Sequence, residues 1–241
     1  MASALKVDDS VATIRLEGPL DAERVGELTG FCEYVADDDA VRVCLLTGDG
    51  AVWSGWSAEA IEGAEEARLV GDPLGAFARL PQATVALLDA PLVDGGLELA
   101  LCADVRVAGT GITIGLPSAG DQLPIAGGLQ RLARAVGRGR ALELVLISQP
   151  IDAMTARTWG LVSVVAEDPA SEAAALAARI AQRGPLATRF AKEAVRRGIE
   201  MPLDQALRYE TDLTVLLQTT EDRAEGVEAF VEKRDPEFHG R

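Results

Sequence analysis

The stretch Asp94-Gly95-Gly96-Leu97-Glu98-Leu99-Ala100 decides the fold expected of this chain. It follows the apolar run Ala83–Leu88, which is typical of a buried strand, and residues 97–103 lack a helix breaker and suit a buried helix. Glycines let a ligand approach the backbone closely, and N–H groups in the first turn of a helix have no intrahelical partner. Among leucines, Glu98 would have a raised pKa suited to proton transfer. A simple Gly-Gly turn, with Glu98 in solvent, is the alternative reading.

Upstream of this stretch, strand-like and helix-like segments alternate. Residues 11–16 alternate apolar and polar side chains, and residues 41–47 form a denser apolar run, so both are predicted strands. Residues 21–36 between them carry apolar side chains at three- and four-residue spacing, which predicts an amphipathic helix. The resulting β-α-β order favours the α/β class.

Downstream of Gly127 the pattern becomes helical. The predicted helices are residues 129–136, 140–146, 153–159, 171–183, 185–197 and 202–219. A helical second half following an α/β first half predicts a C-terminal helical region that packs on a neighbouring copy.

Composition narrows the possible functions. The chain has 241 residues, 48% of them hydrophobic, and a formal net charge of -15, which disfavours binding to nucleic acid or to an anionic membrane. It has no long apolar run and no basic, apolar start, so we expect a cytoplasmic protein. Three widely spaced cysteines look like core residues, and the single His239 leaves no Ser/His or Cys/His pair and no zinc-ligand spacing, so no metal is expected.

Two further segments could approach a ligand. Trp53-Ser54-Gly55-Trp56 reads as a loop after a strand, in which Gly55 could expose the next backbone N–H; core packing or a partner surface is the alternative. Ile114-Gly115-Leu116-Pro117-Ser118 precedes Gly127-Gly128, a second Gly-Gly helix start that could either approach a ligand or make a turn.

Taken in order, these segments resemble the crotonase (enoyl-CoA hydratase/isomerase) family over nearly the whole chain. The family's Gly-Gly-x-Glu-Leu-Ala, Phe-Gly-x-Pro-Glu and Gly-Gly-x-Gln-Arg-Leu motifs correspond to residues 95–100, 114–118 and 127–132. Its Arg-Ala-x-Glu-x-x-Leu, Ala-x-x-x-Gly-Leu-Val and Glu-Gly-x-x-Ala-Phe-x-Glu-Lys-Arg motifs correspond to residues 140–146, 156–162 and 225–234.

The resemblance implies a fold and an assembly. The fold is a crotonase-like spiral of β-β-α turns with a C-terminal helical region, divided here as residues 1–185 for the spiral core and 186–241 for the helical trimerisation region. The assembly is a homotrimer or a homohexamer. The substrate is an acyl-CoA thioester, and no cofactor is expected beyond the CoA that the substrate carries.

The resemblance also implies roles for single residues. The backbone N–H groups of Trp56 and Gly95 would hold the thioester oxygen, and Glu98 matches the first of the two glutamates that a family hydratase uses. Ser118 stands where the second glutamate should be, and a hydroxyl cannot replace a carboxyl in that proton transfer. Asp121, three residues later, is either a substitute acid or a solvated turn residue.

Substrate-binding positions follow from the same correspondence. They are Ser54, Gly55, Gly96, Pro117, Gly127, Phe230 and Lys233. Phe230 and Lys233 match tail positions that in the family reach the CoA of an adjacent subunit, although an amphipathic helix alone would also explain them. Where the family has Arg-Pro-x-x-x-Asn-Ala-Leu and a longer segment, residues 17–22 and 59–73 depart from the pattern, and both regions normally help to hold CoA.

Three functions remain open at the level of sequence. The first is an enoyl-CoA hydratase-like enzyme of fatty-acid or acyl-CoA metabolism that uses Glu98. The second is an acyl-CoA-binding homologue that has lost efficient turnover. The third is a thioester hydrolase or a C–C bond-cleaving enzyme, which needs the oxyanion hole and only one acid.

Overall fold

The computed structural model describes residues 3–64, 71–117 and 124–241. Its strands are β1 Ala4–Asp8, β2 Val11–Leu16, β3 Val43–Gly48, β4 Ala83–Leu88, β5 Leu92–Val93, β6 Val105–Gly109, β7 Thr113–Gly115, β8 Ile151–Asp152 and β9 Val164–Ala166. Its helices are α1 Ala22–Asp37, α2 Gly50–Ser54, α3 Ala58–Glu62, α4 Gly75–Ala78, α5 Asp94–Ala100, α6 Gly128–Val136, α7 Arg138–Ile147, α8 Ala153–Trp159, α9 Pro169–Ala181, α10 Pro185–Gly198, α11 Leu203–Gln218 and α12 Glu221–Glu232.

Two sheets organise the first two thirds of the chain. The larger has the order β1-β2-β3-β4-β6-β9, with β1 antiparallel to β2 and the other neighbours parallel. The smaller has the order β5-β7-β8. Parallel neighbours require crossover connections, and the helices between the strands supply them. The carboxyl ends of β3 and β4 therefore point to the same edge, where α2 and α5 begin.

Local sequence explains the central elements. Strand β3 is an apolar run because it is covered on both faces, as is usual in parallel sheets. Helix α1 begins after Asp21, whose carboxylate accepts the N–H of Arg24 at 2.7 Å, and it buries Leu28, Cys32 and Val35. On the opposite face of the sheet, α9 packs its small buried alanines against β3, β4 and β6.

The three cysteines lie in the core, as the sequence predicts. Cys32, Cys44 and Cys102 are free and buried. Burial raises the pKa of Cys32 and Cys102 to about 12, and that of Cys44 further. They are therefore thiols that fill apolar space rather than nucleophiles.

Some boundaries differ from the sequence prediction. The helix expected over residues 97–103 is α5, which begins at Asp94 and so includes both glycines in its first turn. Part of the expected Trp53 to Trp56 loop is helical, because Asp49 accepts the N–H groups of Ala51 and Val52 and starts α2. These short helices bring the two glycine segments close together.

The C-terminal helices join the sheet through an ion pair whose lysine is largely buried and whose aspartate is exposed. Lys192 of α10 donates to Asp104 at 2.6 Å and to the carbonyl oxygen of Gln82 at 2.6 Å. Beyond this joint, α11 and α12 leave large apolar side chains exposed. Among the described residues, no helix combines the length and the apolar character needed to cross a membrane.

Candidate active site

The site begins where β4 and β5 deliver the chain to α5. Asp94 opens the helix with φ 43°, a left-handed conformation that costs a non-glycine residue free energy and is often found at functional sites. Gly95 follows in the first turn, where backbone N–H groups have no intrahelical acceptor. Among the described residues, the Gly95 N–H donates to no other group.

The Trp56 segment lies directly against this turn. Gly55 has φ 101°, and a Cβ added to it would lie 2.7 Å from the Gly95 nitrogen, so a side chain there is excluded by both conformation and space. Leu20 holds the segment from both sides: its N–H donates to the Gly55 carbonyl at 2.9 Å, and its own carbonyl accepts the Ser57 N–H at 2.8 Å. The Trp56 N–H, like that of Gly95, donates to no group in the described part of the chain.

Glu98 is the chemical centre of this region. Its side chain is fully buried, at 0% exposure. One carboxylate oxygen, Oε1, accepts the backbone N–H groups of Ala126 at 2.7 Å and Gly128 at 3.0 Å; the other, Oε2, accepts the indole N–H of Trp56 at 2.7 Å. The prediction of a buried carboxyl at this helix start is confirmed, and the alternative with Glu98 in solvent is wrong.

Burial raises the pKa of Glu98, because an ionised carboxylate loses its hydration there. Hydrogen bonds from Trp56 and from the backbone of Gly128 and Ala126 favour the ionised form and lower the pKa in part. The net direction is upward. Burial therefore favours the protonated form while the hydrogen bonds stabilise the ionised form, which suits this carboxyl to both accept and return a proton.

The start of α6 is built around Glu98. A Cβ on Gly128 would lie 2.6 Å from the Glu98 Cγ, so this position has room only for glycine. Arg131, one turn later, donates from Nη1 to the Ala126 carbonyl at 2.7 Å and so braces the loop whose N–H groups hold the carboxylate.

The other predicted binding residues have varied surroundings. Ser54 is exposed, and its hydroxyl donates to the Gly50 carbonyl at 2.7 Å. Gly96 is buried, and a Cβ there would meet the Trp53 carbonyl oxygen at 2.0 Å, so it allows α5 to pack on α2. Gly127 precedes α6 with φ 80°, and Pro117 is exposed.

Four predicted site residues remain, two in the C-terminal tail and two at the second-acid positions. Phe230 is 83% exposed, and Lys233 ends α12 in a left-handed conformation. Ser118 and Asp121 lie outside the described residues, so their roles stay predictions. The structure thus brings Gly55, Trp56, Gly95 and Glu98 together, while nothing described joins α12 to them.

Sequence reasoning missed two side chains. It gave Trp56 a functional role only through its backbone N–H, with core packing or a partner surface as the alternative, whereas the indole also binds Glu98. It did not single out Arg131, which braces the loop that holds the carboxylate. The Gly-Gly-Leu-Gln-Arg-Leu motif contains this residue and could have pointed to it.

Comparison with solved structures identifies the fold. The crystal structure of an enoyl-CoA hydratase from Geobacillus kaustophilus superposes with a TM-score of 0.93 at 31% identity, covering 100% of this chain and 97% of that chain. That of an enoyl-CoA hydratase from Bacillus anthracis superposes with a TM-score of 0.91 at 30% identity, covering 100% of both chains. The chain therefore has the crotonase fold with a helical C-terminal region, as its sequence motifs predict.

Sequence comparison identifies the family. The pattern of the family described as enoyl-CoA hydratase/isomerase matches residues 6–241. The 2,3-dehydroadipyl-CoA hydratase of Escherichia coli is 38% identical over 224 residues, which cover 89% of this chain and 88% of that protein. The chain belongs to the enoyl-CoA hydratase/isomerase family.

Proposed function

We propose that the protein is an enoyl-CoA hydratase-like enzyme of acyl-CoA or fatty-acid metabolism that uses Glu98 as its proton-transfer group. The observation that carries this proposal is the fully buried Glu98 carboxylate beside two backbone N–H groups, those of Trp56 and Gly95. A general acid/base next to donors for a developing oxyanion is what addition to an α,β-unsaturated thioester requires. The substrate carries the CoA, and no further cofactor is proposed.

The reaction needs only groups of this chain, the substrate and water. The thioester oxygen accepts the N–H groups of Trp56 and Gly95. Glu98 takes a proton from water while the water oxygen bonds to C3, and the C2=C3 electron pair moves toward the thioester oxygen as an enolate. The protonated Glu98 then delivers that proton to C2, which restores the thioester and adds one water in total. Each oxyanion donor contributes about 2.7–4 kcal/mol to the transition state.

The proposed mechanism uses one carboxyl for both proton transfers, so it does not require an acid at position 118. Ser118 cannot supply the second carboxyl of the family pattern. The raised pKa of Glu98 supports the double role, since burial favours the protonated form that must deliver the proton to C2. Asp121 is kept as a secondary candidate acid.

Ser118 also supports a second candidate function. Without a second carboxyl, the chain could be an acyl-CoA-binding homologue with weak turnover, or a thioester hydrolase or C–C-cleaving enzyme that needs one acid. These readings share the Trp56 and Gly95 oxyanion donors and differ in what happens at C3.

Assembly and location belong to the proposal as well. Exposed apolar side chains on α11 and α12 support a homotrimer or homohexamer in which Phe230 and Lys233 reach the CoA bound to an adjacent copy. The division at residues 185 and 186, which falls at the start of α10, and the cytoplasmic location stay predictions.

Turnover of crotonyl-CoA and of a long-chain 2-enoyl-CoA tests the function, followed by loss of the enoyl thioester absorbance. We expect hydration by the parent and a loss of about 10²–10⁴-fold in kcat for Glu98→Gln. The control is Glu143→Gln, which changes an exposed glutamate of α7 and should retain parent activity.

Hydration that survives in Glu98→Gln would contradict the role of Glu98. If the parent does not hydrate but binds acyl-CoA in calorimetry, the hydratase proposal is wrong. Release of free CoA would then select the thioester hydrolase, and its absence the binding protein.

A further inference from the structure

Trp56 occupies an unusual place for a residue whose backbone is proposed to bind substrate. Its half-buried indole lies over Gly95: a Cβ added to Gly95 would be 2.3 Å from Cδ1 and 2.5 Å from Nε1 of the ring. From there Nε1 reaches Oε2 of Glu98 at 2.7 Å. An alanine at position 56 would keep the backbone N–H and have no side-chain donor.

The two oxygens of Glu98 are held differently. Oε1 accepts two backbone N–H groups from the start of α6. Oε2 has the indole N–H as its partner among the described residues. A carboxylate oxygen can accept about two hydrogen bonds, so Oε2 keeps capacity for a water molecule while the indole fixes its direction.

Removing the indole N–H would leave Oε2 buried and without that donor. A hydrogen bond to a charged group contributes more than a neutral one, and an unsatisfied buried charge is costly. The terminal carboxylate torsion is also soft, so Oε2 would be less firmly oriented without it.

We propose that Trp56 is a positioning residue for Glu98: its indole N–H fixes Oε2, which holds the carboxylate beside the place where the Trp56 and Gly95 backbone N–H groups would bind the thioester. This inference rests on the proposed function. One residue then contributes twice, with its backbone N–H toward the substrate oxygen and its side chain toward the acid/base.

Trp56→Phe tests the inference, because it keeps an aromatic ring and removes the donor. We expect kcat/KM to fall by about 10- to 100-fold, with most of the loss in kcat. The acid limb of the pH profile should move to higher pH. Glu98 must be ionised to take a proton from water, and loss of a hydrogen bond that favours the ionised form raises its pKa.

Other groups facing Glu98 stay unchanged in this variant. In the described part of the chain they are Cys102, just after the end of α5, and Arg131 of α6, which is paired with Asp72. A shift of the acid limb therefore reports on the lost indole donor.

The matched control is Trp53→Phe. Trp53 is fully buried in the same segment, and its indole N–H has no acceptor among the described residues. Its replacement removes an indole N–H without removing a hydrogen bond, so the acid limb should stay in place. An unmoved acid limb in Trp56→Phe, or a rise in kcat/KM, would overturn the inference; the rise would mean that the indole obstructs the site.

A second measurement does not depend on activity or on the folding of Trp56→Phe. Nuclear magnetic resonance of the ¹⁵N-labelled protein gives an indole N–H signal for each of its three tryptophans. We expect one indole signal to titrate with pH in the parent and to stop titrating in Glu98→Gln; Trp53→Phe and Trp159→Phe identify the other two signals and so assign it to Trp56.

The turnover assay and the indole titration distinguish failure of the proposed function from failure of the positioning role of Trp56. A parent that lacks hydration but shows the titrating signal would refute the proposed function and leave the Trp56 to Glu98 contact in place. An active parent without such a signal would refute the positioning role alone.

Discussion

The surroundings of Glu98 and the C-terminal helices differ in how well a single chain provides for their side chains. Around Glu98 the chain supplies hydrogen-bond partners, whereas on the C-terminal helices it leaves apolar side chains exposed. At the site, both oxygens of a buried carboxylate have donors from the same chain. On the C-terminal helices, Leu203 is 74% exposed and Phe230 is 83% exposed. The difference teaches that the hydrogen bonds of the Glu98 carboxylate are complete within one chain, while the apolar helical surface is of the kind that the proposed assembly would cover.

The largest effect is expected where the C-terminal helices contact the sheet, at Lys192 and Asp104. Lys192→Met should lower the free energy of unfolding by about 1.5–3 kcal/mol, because it removes the hydrogen bonds that the charged ammonium donates to the Asp104 carboxylate and to the Gln82 carbonyl. Denaturant unfolding measures this. Arg196→Met, an exposed position on the same helix, is the control and should change stability by less than about 0.5 kcal/mol. Equal effects would mean that the helical region does not depend on this ion pair.

A smaller effect is expected inside the site. Gly128→Ala places a Cβ 2.6 Å from the Glu98 Cγ and should cost about 1–3 kcal/mol of stability by overpacking. Displacement of the carboxyl should also reduce kcat/KM by about 10²-fold. Gly139→Ala is the matched control, since its Cβ meets nothing within 4 Å in α7. Full activity in Gly128→Ala would show that Glu98 tolerates displacement.

The smallest effect on the folded chain is expected at the exposed face. Phe230→Ser should change the free energy of unfolding of a single chain by less than about 0.5 kcal/mol while lowering the assembled mass. Light scattering coupled to gel filtration measures the mass, and Glu228→Gln on the same helix is the control. A parent that runs as a monomer at every concentration would contradict the proposed assembly.

Sequence reasoning predicted the main frame because its signals are long. Strand β4, helix α1 and helices α6 to α11 follow from apolar periodicity, and the motif around Glu98 predicted a buried carboxyl. Strand β1 was missed because its pattern is largely polar and exposed, and strands β5 and β8 because two residues carry no periodicity.

The motifs predicted which residues lie together at the site, and they did not predict how the Trp56 side chain is directed. The backbone roles of Trp56 and Gly95 come from the family resemblance and stay predictions. The direction of the Trp56 indole depends on how Leu20 and Gly55 place the segment against α5. That placement joins parts of the chain separated by some forty residues, and no local pattern encodes it.

The buried cysteines also make the native protein unreactive toward thiol reagents. All three thiols are buried, and the raised pKa of Cys32 and Cys102, about 12, leaves almost no thiolate at neutral pH. Alkylation must therefore await local opening of the core, so its rate measures that opening. The exposed Ser54, replaced by cysteine, would be the fast-reacting thiol for attaching a fluorophore beside the site.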